Sequence, residues 1–273
     1  MSKVQNLRVR IVPILKRKRV RVPAPSGQEK ETTELFQGEV PSPPANAQLI
    51  YNGGALIPNV TVYTIYWGNG WSGNAAMQTI MGQLNQFFKD ILVSPLIDQL
   101  GEYNVAGQYT IGHGSLAGTA VITAGAPAAG STIDDAAIQT TLQGWISGGQ
   151  VPAVTLNMLY FIYFDQQVTV TMGGDSSCVN FCGYHDAINN NIYYAVMPYP
   201  SCDGCLGGFS AIDAMTGTSS HELCESITDP VPPNGWYDSN NNMEIGDICA
   251  WSFKTVAGHN VQLEWSNNAS KCI

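Results

Sequence analysis

TSSHELCESITD, residues 218–229, is the stretch on which the expected fold depends. Pro230 follows it directly, so the sequence predicts a helix that stops before this proline. Residues four apart lie on the same face of a helix, which places His221 and Glu225 side by side, with Glu222 next to them. One imidazole and two carboxylates in this arrangement can bind a metal ion and hold a base beside it.

The pattern is close to H-E-x-x-H, in which two histidines bind zinc and the glutamate between them is the general base. In this chain Glu225 replaces the second histidine, and a carboxylate oxygen can still bind zinc. We therefore predict that His221 and Glu225 bind a metal ion and that Glu222 is the base. The alternative is a chance match on an ordinary amphipathic helix, whose glutamates are usually solvated.

The segment after the helix, GWYDSNNNMEIGDICAW (235–251), supplies further acidic residues. Glu244 is predicted to be the third metal ligand, which leaves a fourth position for water, as a catalytic zinc site requires. Asp247 is predicted to orient a ligand imidazole. Asp229 and Asp238 are further candidates, either as alternative ligands or as residues that orient the ligands.

These residues predict metal-assisted hydrolysis of a peptide bond. Zinc lowers the pKa of its bound water toward ~7, and Glu222 would take the proton as the hydroxide attacks a carbonyl carbon. A neutral donor is also expected to stabilise the oxyanion. The candidates for this role are His185, Tyr237 and Tyr184.

The predicted ligand set is harder and more negative than the usual zinc set, so it also suits manganese, iron or calcium. A pattern D-x-N-x-N-x-E, similar to the first half of a calcium loop, is formed by Asp238, Asn240, Asn242 and Glu244. Met243 stands where such a loop needs glycine. Zinc is therefore the predicted cofactor, and calcium as a second, structural ion is the alternative.

Charge is distributed unevenly along the 273 residues. Nine of the twelve Lys and Arg residues fall in the first 30 positions, whereas 17 acidic residues and only 3 basic ones follow from residue 40 onward. Such an acidic body repels nucleic acid. No run of about 18 apolar residues is present, so no stable membrane insertion is expected. A protein or peptide substrate is the predicted partner.

Composition divides the chain into three predicted segments. Residues 1–22 form a basic leader or removable pro-segment, residues 23–48 a linker rich in Pro, Ser and Glu, and residues 49–273 the folded domain. The leader lacks the apolar core and the cleavage site of a secretory signal.

The periodicity of the folded segment predicts a single α+β domain. NVTVYTIYW (59–67) and TLNMLYFIYF (155–164) are rich in β-branched or aromatic residues and predict strands, whereas residues 75–92 show helical spacing. We expect a zincin-like domain with a mixed, twisted sheet, a few long helices and a C-terminal part stapled by disulfides.

All seven cysteines lie after position 177, which is typical of a protein from an oxidising compartment. A secreted or extracellular protein is therefore predicted. The candidate disulfides are Cys178–Cys182, Cys202–Cys205 and Cys249–Cys272, which leaves Cys224 unpaired. The alternative is a zinc site built from the first four of these thiolates.

The carboxy-terminal part of the sequence resembles the phosphate-induced protein 1 / EXORDIUM-like family over roughly residues 59–273. The resemblance rests on CVNFCGYH (178–185), CDGC (202–205), SSHELCESITDP (219–230), GWYD (235–238), EIGDICAW (244–251) and Cys272. It implies a secreted protein with paired cysteines, which favours disulfides over the thiolate site. Plant members are associated with the cell wall and growth, whereas this chain is similar to the bacterial-type members, which keep a histidine and glutamates in the helix.

Two functions are consistent with these features. The first is a secreted zinc-dependent peptidase with Glu222 as general base. The second is a non-catalytic extracellular or cell-wall-associated binding protein in which a metal ion only stabilises the fold. The enzyme is preferred, because a purely structural metal site has no need of a base beside its ligand.

Overall fold

The computed structural model describes residues 11–15, 17–21, 34–38 and 40–273. The predicted leader and linker therefore lie partly outside the described residues. No helix in the described ranges is long and apolar enough to span a membrane.

The described elements are seventeen strands, six α-helices and two 3₁₀ helices, which we number in chain order. The strands are β1 (Ile11–Pro13), β2 (Arg17–Arg21), β3 (Glu34–Gly38), β4 (Ile50–Tyr51), β5 (Thr61–Trp67), β6 (Ser115–Ile122), β7 (Thr132–Asp134), β8 (Met158–Phe164), β9 (Thr169–Met172), β10 (Asp175–Ser176), β11 (Phe181–Ile188), β12 (Ile192–Met197), β13 (Trp236–Tyr237), β14 (Phe253–Val256), β15 (His259–Gln262), β16 (Trp265–Ser266) and β17 (Lys271–Cys272). The α-helices are α1 (Gly70–Gly73), α2 (Ala75–Ile91), α3 (Pro95–Asp98), α4 (Asp135–Ser147), α5 (Asp203–Leu206) and α6 (Ala211–Thr228). The 3₁₀ helices are Gln99–Tyr103 and Asp247–Cys249.

A six-stranded mixed sheet with the order β1-β11-β12-β8-β5-β6 forms the centre of the described structure. The strands β12, β8, β5 and β6 pair in parallel, whereas β11 is antiparallel to β12 and β1 is antiparallel to β11. Parallel strands covered on both faces have continuous apolar sequences, and all seven residues of β8 are buried. The predicted α+β class and mixed sheet are confirmed, and the zincin-like fold stays a prediction.

The sheet separates two apolar cores. Because side chains alternate along a strand, Leu159, Phe161 and Tyr163 of β8 pack into the core that contains residues of α2 and α6. Tyr160, Ile162 and Phe164 of the same strand pack into the core on the other face, with residues of α4. The site helix α6 therefore lies on the same face of the sheet as α2.

The helix α6 is buried on all sides rather than on one apolar face. Every residue from Ala214 to Thr228 is buried, because β11 and β12 contact one side of the helix and β15 another. A Cβ added to Gly217 would lie 2.7 Å from the ring of Phe253, so the β14–β15 hairpin packs directly on the helix. The polar side chains of α6 consequently face the interior, where they need partners.

The three disulfides staple the C-terminal part, but two of the predicted pairings are wrong. Cys178 pairs with Cys202 and Cys182 with Cys205, instead of Cys178–Cys182 and Cys202–Cys205, with Cα separations of 5.7 and 5.4 Å. The start of β11 lies beside α5, so each cysteine finds its partner in the other segment. Cys249–Cys272 forms as predicted, and Cys224 is a buried free cysteine. With the first four sulfurs in disulfides, the alternative thiolate zinc site is not formed.

Part of the predicted leader packs on the domain. The strand β1 pairs with β11, and the indole nitrogen of Trp251 donates a hydrogen bond to the carbonyl oxygen of Pro13 at 2.8 Å. Val12 is buried in a small cluster with Cys182, Cys205 and Trp251. Residues 11–15 therefore contribute to the packing around two of the disulfide cysteines.

Phe161→Ala should lower the free energy of unfolding by about 3–5 kcal/mol, because it removes a fully buried ring from the strand at the centre of the sheet. The Phe161 ring packs 4.7 Å from that of Phe88, centroid to centroid. Urea unfolding followed by circular dichroism measures the change. Leu156→Ala is the control, since Leu156 is 84% exposed and its removal should cost less than about 0.5 kcal/mol. Equal losses for the two variants would contradict the described core.

Disulfide mapping should find Cys178 joined to Cys202 and Cys182 joined to Cys205. Unreduced protein is digested with chymotrypsin, which cuts after Phe181 and Tyr184, and with an enzyme that cuts before Asp203, so all four cysteines fall in separate peptides. Mass spectrometry then identifies the joined peptides. Recovery of Cys178 joined to Cys182 would contradict the structure.

Candidate metal centre

Six ionisable side chains from three parts of the chain converge beside α6. The helix supplies His221, Glu222 and Glu225, and β11 supplies His185. Glu244 lies in the loop before the second 3₁₀ helix, and Asp247 is the first residue of that helix. All but Asp247 have a relative exposure of at most 1%. Buried charges are costly unless they are paired or bind a metal ion, so the cluster needs such partners.

The first group of possible ligands is formed by His221, Glu225 and Asp247. Nε2 of His221 lies 3.0 Å from Oε1 of Glu225, and the backbone nitrogen of Asp247 donates a hydrogen bond to the same oxygen at 3.1 Å. Nε2 of His221 nevertheless makes no aligned hydrogen bond within the described ranges. The helix spacing thus brings His221 and Glu225 together as the sequence predicts, and Asp247 lies with them.

The second group is formed by His185, Glu222 and Glu225. Nδ1 of His185 lies 3.1 Å from Oε2 of Glu222 and 3.5 Å from Oε2 of Glu225. The other ring nitrogen, Nε2, donates a hydrogen bond to the backbone oxygen of Asp229 at 3.2 Å. His185, predicted as an oxyanion donor, therefore lies among the carboxylates.

Glu244, the predicted third ligand, lies on the His185 side of the cluster. Its Oε1 is 3.5 Å from Nε2 of His185, and neither of its carboxylate oxygens makes a hydrogen bond to a described residue. Its backbone nitrogen donates to Oδ2 of Asp247 at 3.1 Å, so the two acids are held in one turn. Asp247, rather than Glu244, lies in the group with His221.

The remaining predicted residues hold loops around the centre. Oδ1 of Asp229 accepts a hydrogen bond from the backbone nitrogen of Gly235 at 2.7 Å. The hydroxyl of Tyr237 donates to Oδ1 of Asn242 at 2.7 Å. Both oxygens of Asp238 accept hydrogen bonds, from Gln48, Asn240 and Asn241. N–H donors thus hold the oxygens of Asp238, whereas Glu244 faces His185, and the calcium loop stays a prediction.

Gln262 and Gly246 also shape the centre, and no motif in the sequence indicates them. Nε2 of Gln262 lies 2.8 Å from Nδ1 of His221 and donates to the carbonyl oxygen of Gly246 at 2.8 Å. A Cβ added to Gly246 would lie 2.8 Å from the same ring nitrogen. The imidazole of His221 therefore lies between the side-chain amide of Gln262 and the backbone of Gly246, which has no side chain.

Mutual electrostatic interactions shift the pKa values of the cluster strongly. Burial lowers the pKa of His221, but the charge of Glu225 outweighs it and raises this pKa to about 10. Burial raises the pKa of Glu225, but the charge of His221 and contacts with both imidazoles lower it to about 2. The pKa of Glu222 is raised, chiefly by burial. Without a metal ion, protonated imidazoles therefore compensate the carboxylates.

A further buried carboxyl group, Glu264, lies outside both ligand groups. Its side chain is fully buried and contacts the thiol of Cys224. Burial raises its pKa well above the usual value. Burial likewise raises the pKa of the Cys224 thiol. The structure gives neither side chain a place among the possible ligands.

The affinity for Zn²⁺ should rise as the pH is raised from about 5.5 to about 8. The pKa of His221 in the metal-free protein is about 10, so its proton must leave before Nε2 can bind an ion, and higher pH favours that loss. Isothermal titration calorimetry in buffers of different ionisation enthalpy measures both the affinity and the protons released. An affinity that is independent of pH, without proton release, would contradict this account.

Compared with known proteins, the chain matches no protein-family model, and none of the curated proteins matches it either. The resemblance to the EXORDIUM-like family therefore stays a prediction.

Proposed function

We propose that the protein is a secreted metallopeptidase with a zincin-like fold, in which Glu222 is the general base beside a zinc ion. One observation carries this proposal. The possible ligand atoms of His221, Glu225 and Asp247 lie within 4.8 Å of one another, and the buried Nε2 of His221 makes no hydrogen bond to the described residues. Buried polar atoms are normally paired, so an unpaired ligand atom within such a group is expected where an ion binds.

His221, Glu225 and Asp247 are the ligands in this proposal, with Asp247 in the place first predicted for Glu244. One imidazole nitrogen and two carboxylate oxygens are donors that zinc accepts, and a set of three leaves a fourth position for water. The same set also suits manganese or iron. The ion supplies Lewis acidity and lowers the pKa of water.

Glu222 is placed to carry the proton in this reaction. Burial raises its pKa, which makes the carboxylate a stronger base. His185 contacts Oε2, whereas Oε1 lies beside Gly183, whose added Cβ would approach it to 3.2 Å. A side chain at Gly183 would therefore crowd the oxygen. Glu222 takes a proton from the attacking water and transfers it to the amine as the C–N bond breaks.

Two features of the fold support the zincin-like and secreted parts of the proposal. The site helix lies against a sheet in which one antiparallel strand, β11, adjoins four parallel ones, and that strand carries His185. Three disulfides are typical of proteins that fold in an oxidising compartment.

A non-catalytic, metal-stabilised binding protein is the second candidate, and one observation favours it. The side chains of His221, Glu222 and Glu225 have a relative exposure of 0%. A polypeptide substrate must reach Glu222, whereas an ion that only stabilises the fold has no such requirement. The two candidates differ in whether the loaded protein hydrolyses peptide bonds.

Glu222→Gln should reduce hydrolysis of a peptide library by about 10²–10⁴-fold while an ion stays bound at His221, Glu225 and Asp247. The amide keeps the size of the side chain but cannot accept the proton. Mass-spectrometric peptide profiling measures hydrolysis, and inductively coupled plasma mass spectrometry measures the metal content of protein purified without chelator or histidine tag.

Glu102→Gln is the matched control, because Glu102 accepts hydrogen bonds from Ser266 and Asn267 and belongs to neither group of possible ligands. Its hydrolysis should equal that of the unchanged protein. A well-folded protein that binds no metal would overturn the proposal. Metal binding without hydrolysis, with a lower melting temperature for His221→Ala, would establish the second candidate instead.

A further inference from the structure

The carboxylate of Glu225 belongs to both ligand groups, one oxygen to each. Oε1 lies 3.0 Å from Nε2 of His221 and accepts the hydrogen bond of the Asp247 backbone. Oε2 lies 3.5 Å from Nδ1 of His185. The two imidazoles therefore approach the same carboxylate at different oxygens.

Each group has the dimensions of a site for one ion. Two ligands at about 2.0–2.2 Å from an ion can be no more than about 4.4 Å apart. In each group the possible ligand atoms lie within 4.8 Å of one another. Three contacts meet the tighter limit, those of His185 Nδ1 with Glu222 at 3.1 Å and with Glu225 at 3.5 Å, and that of His221 with Glu225 at 3.0 Å. A carboxylate shared in this way is common where two ions lie about 3.5–4 Å apart.

The ring of His185 is oriented to bind through Nδ1. Its Nε2 donates to the backbone oxygen of Asp229, which can only accept, so the neutral ring keeps its proton on Nε2 and its lone pair on Nδ1. Metal-binding histidines commonly donate their second nitrogen to a backbone carbonyl in this manner. His185 thus has the features of a ligand and not only of a partner for Glu222.

The charge of the cluster also favours two ions. Four carboxylates, those of Glu222, Glu225, Glu244 and Asp247, surround two histidines. When both imidazoles are neutral, as ligands must be, and the four carboxyl groups are ionised, two divalent ions balance all four negative charges, whereas one ion leaves two charges to be neutralised by protons. Uncompensated charge in a buried site is strongly unfavourable.

We infer that the centre holds two divalent metal ions bridged by Glu225, one bound by His221 and Asp247 and the other by His185 and Glu222. This rests on the proposed function for the first ion and adds the second. Glu222 binds the second ion through Oε2, and Oε1 remains its proton acceptor.

The experiment is a count of bound metal on the full chain, loaded with Zn²⁺ and freed of excess by gel filtration. The unchanged protein should hold about two equivalents, and Glu222→Gln or His185→Ala about one, because each variant removes a ligand of the second ion only. Glu264→Gln is the matched control, since Glu264 is equally buried but lies outside both groups. It should retain both ions.

A spectroscopic measurement on the unchanged protein keeps the inference testable if a variant fails to fold. Electron paramagnetic resonance of Co²⁺-loaded protein should show magnetic coupling between the ions when the second equivalent is added, because one carboxylate bridges them.

One equivalent of bound metal and no magnetic coupling would overturn the inference of a second ion and leave the proposed function unchanged. No bound metal at all would overturn both. Two equivalents that survive Glu222→Gln and His185→Ala would place the second ion elsewhere and overturn the assignment.

Discussion

The cost of burying charge governs how this protein is built around α6. A buried carboxylate costs several kcal/mol unless an opposite charge or an ion compensates it, and Glu222 and Glu225 are both fully buried. Two imidazoles have to come close to them for the fold to be stable. His221 comes from the helix itself, whereas His185 requires β11 to lie directly against α6. Gly183 in β11 permits this approach, since its added Cβ would lie 2.7 Å from Thr218.

The disulfide-bonded C-terminal part keeps this arrangement in place from the other side. Cys249 ends the 3₁₀ helix that follows Glu244 and begins with Asp247, and its bond to Cys272 fixes that turn relative to the end of the chain. Gln262, at the end of β15, ties the same turn to His221 through Gly246. The acids of the loop are thus held against the helix by covalent and hydrogen bonds of the last 30 residues.

Local patterns predicted much of the fold, and tertiary contacts explain what they missed. The apolar run of β8 and the helical spacing of α2 depend on neighbours in sequence, as does the pairing of His221 with Glu225. The contact of His185 with Glu222 and Glu225 could not be predicted, because the position of His185 depends on the pairing of β11 with β12. The spacing of Glu244 and Asp247 could not show which acid faces His221, and the cysteine pairing depends on α5 lying beside β11.

The strand β1 has a consequence for the behaviour of the protein in solution. It is the outermost described strand on its side of the sheet, it is only three residues long, and Pro13 has no backbone N–H with which to pair another strand. Short edge strands that contain proline hinder edge-to-edge pairing of sheets from different molecules. Loss of the basic leader would expose β11, an eight-residue strand that carries His185, as the new edge of the sheet. Residues 11–13, part of a segment that looks dispensable by composition, thus cover the edge of β11.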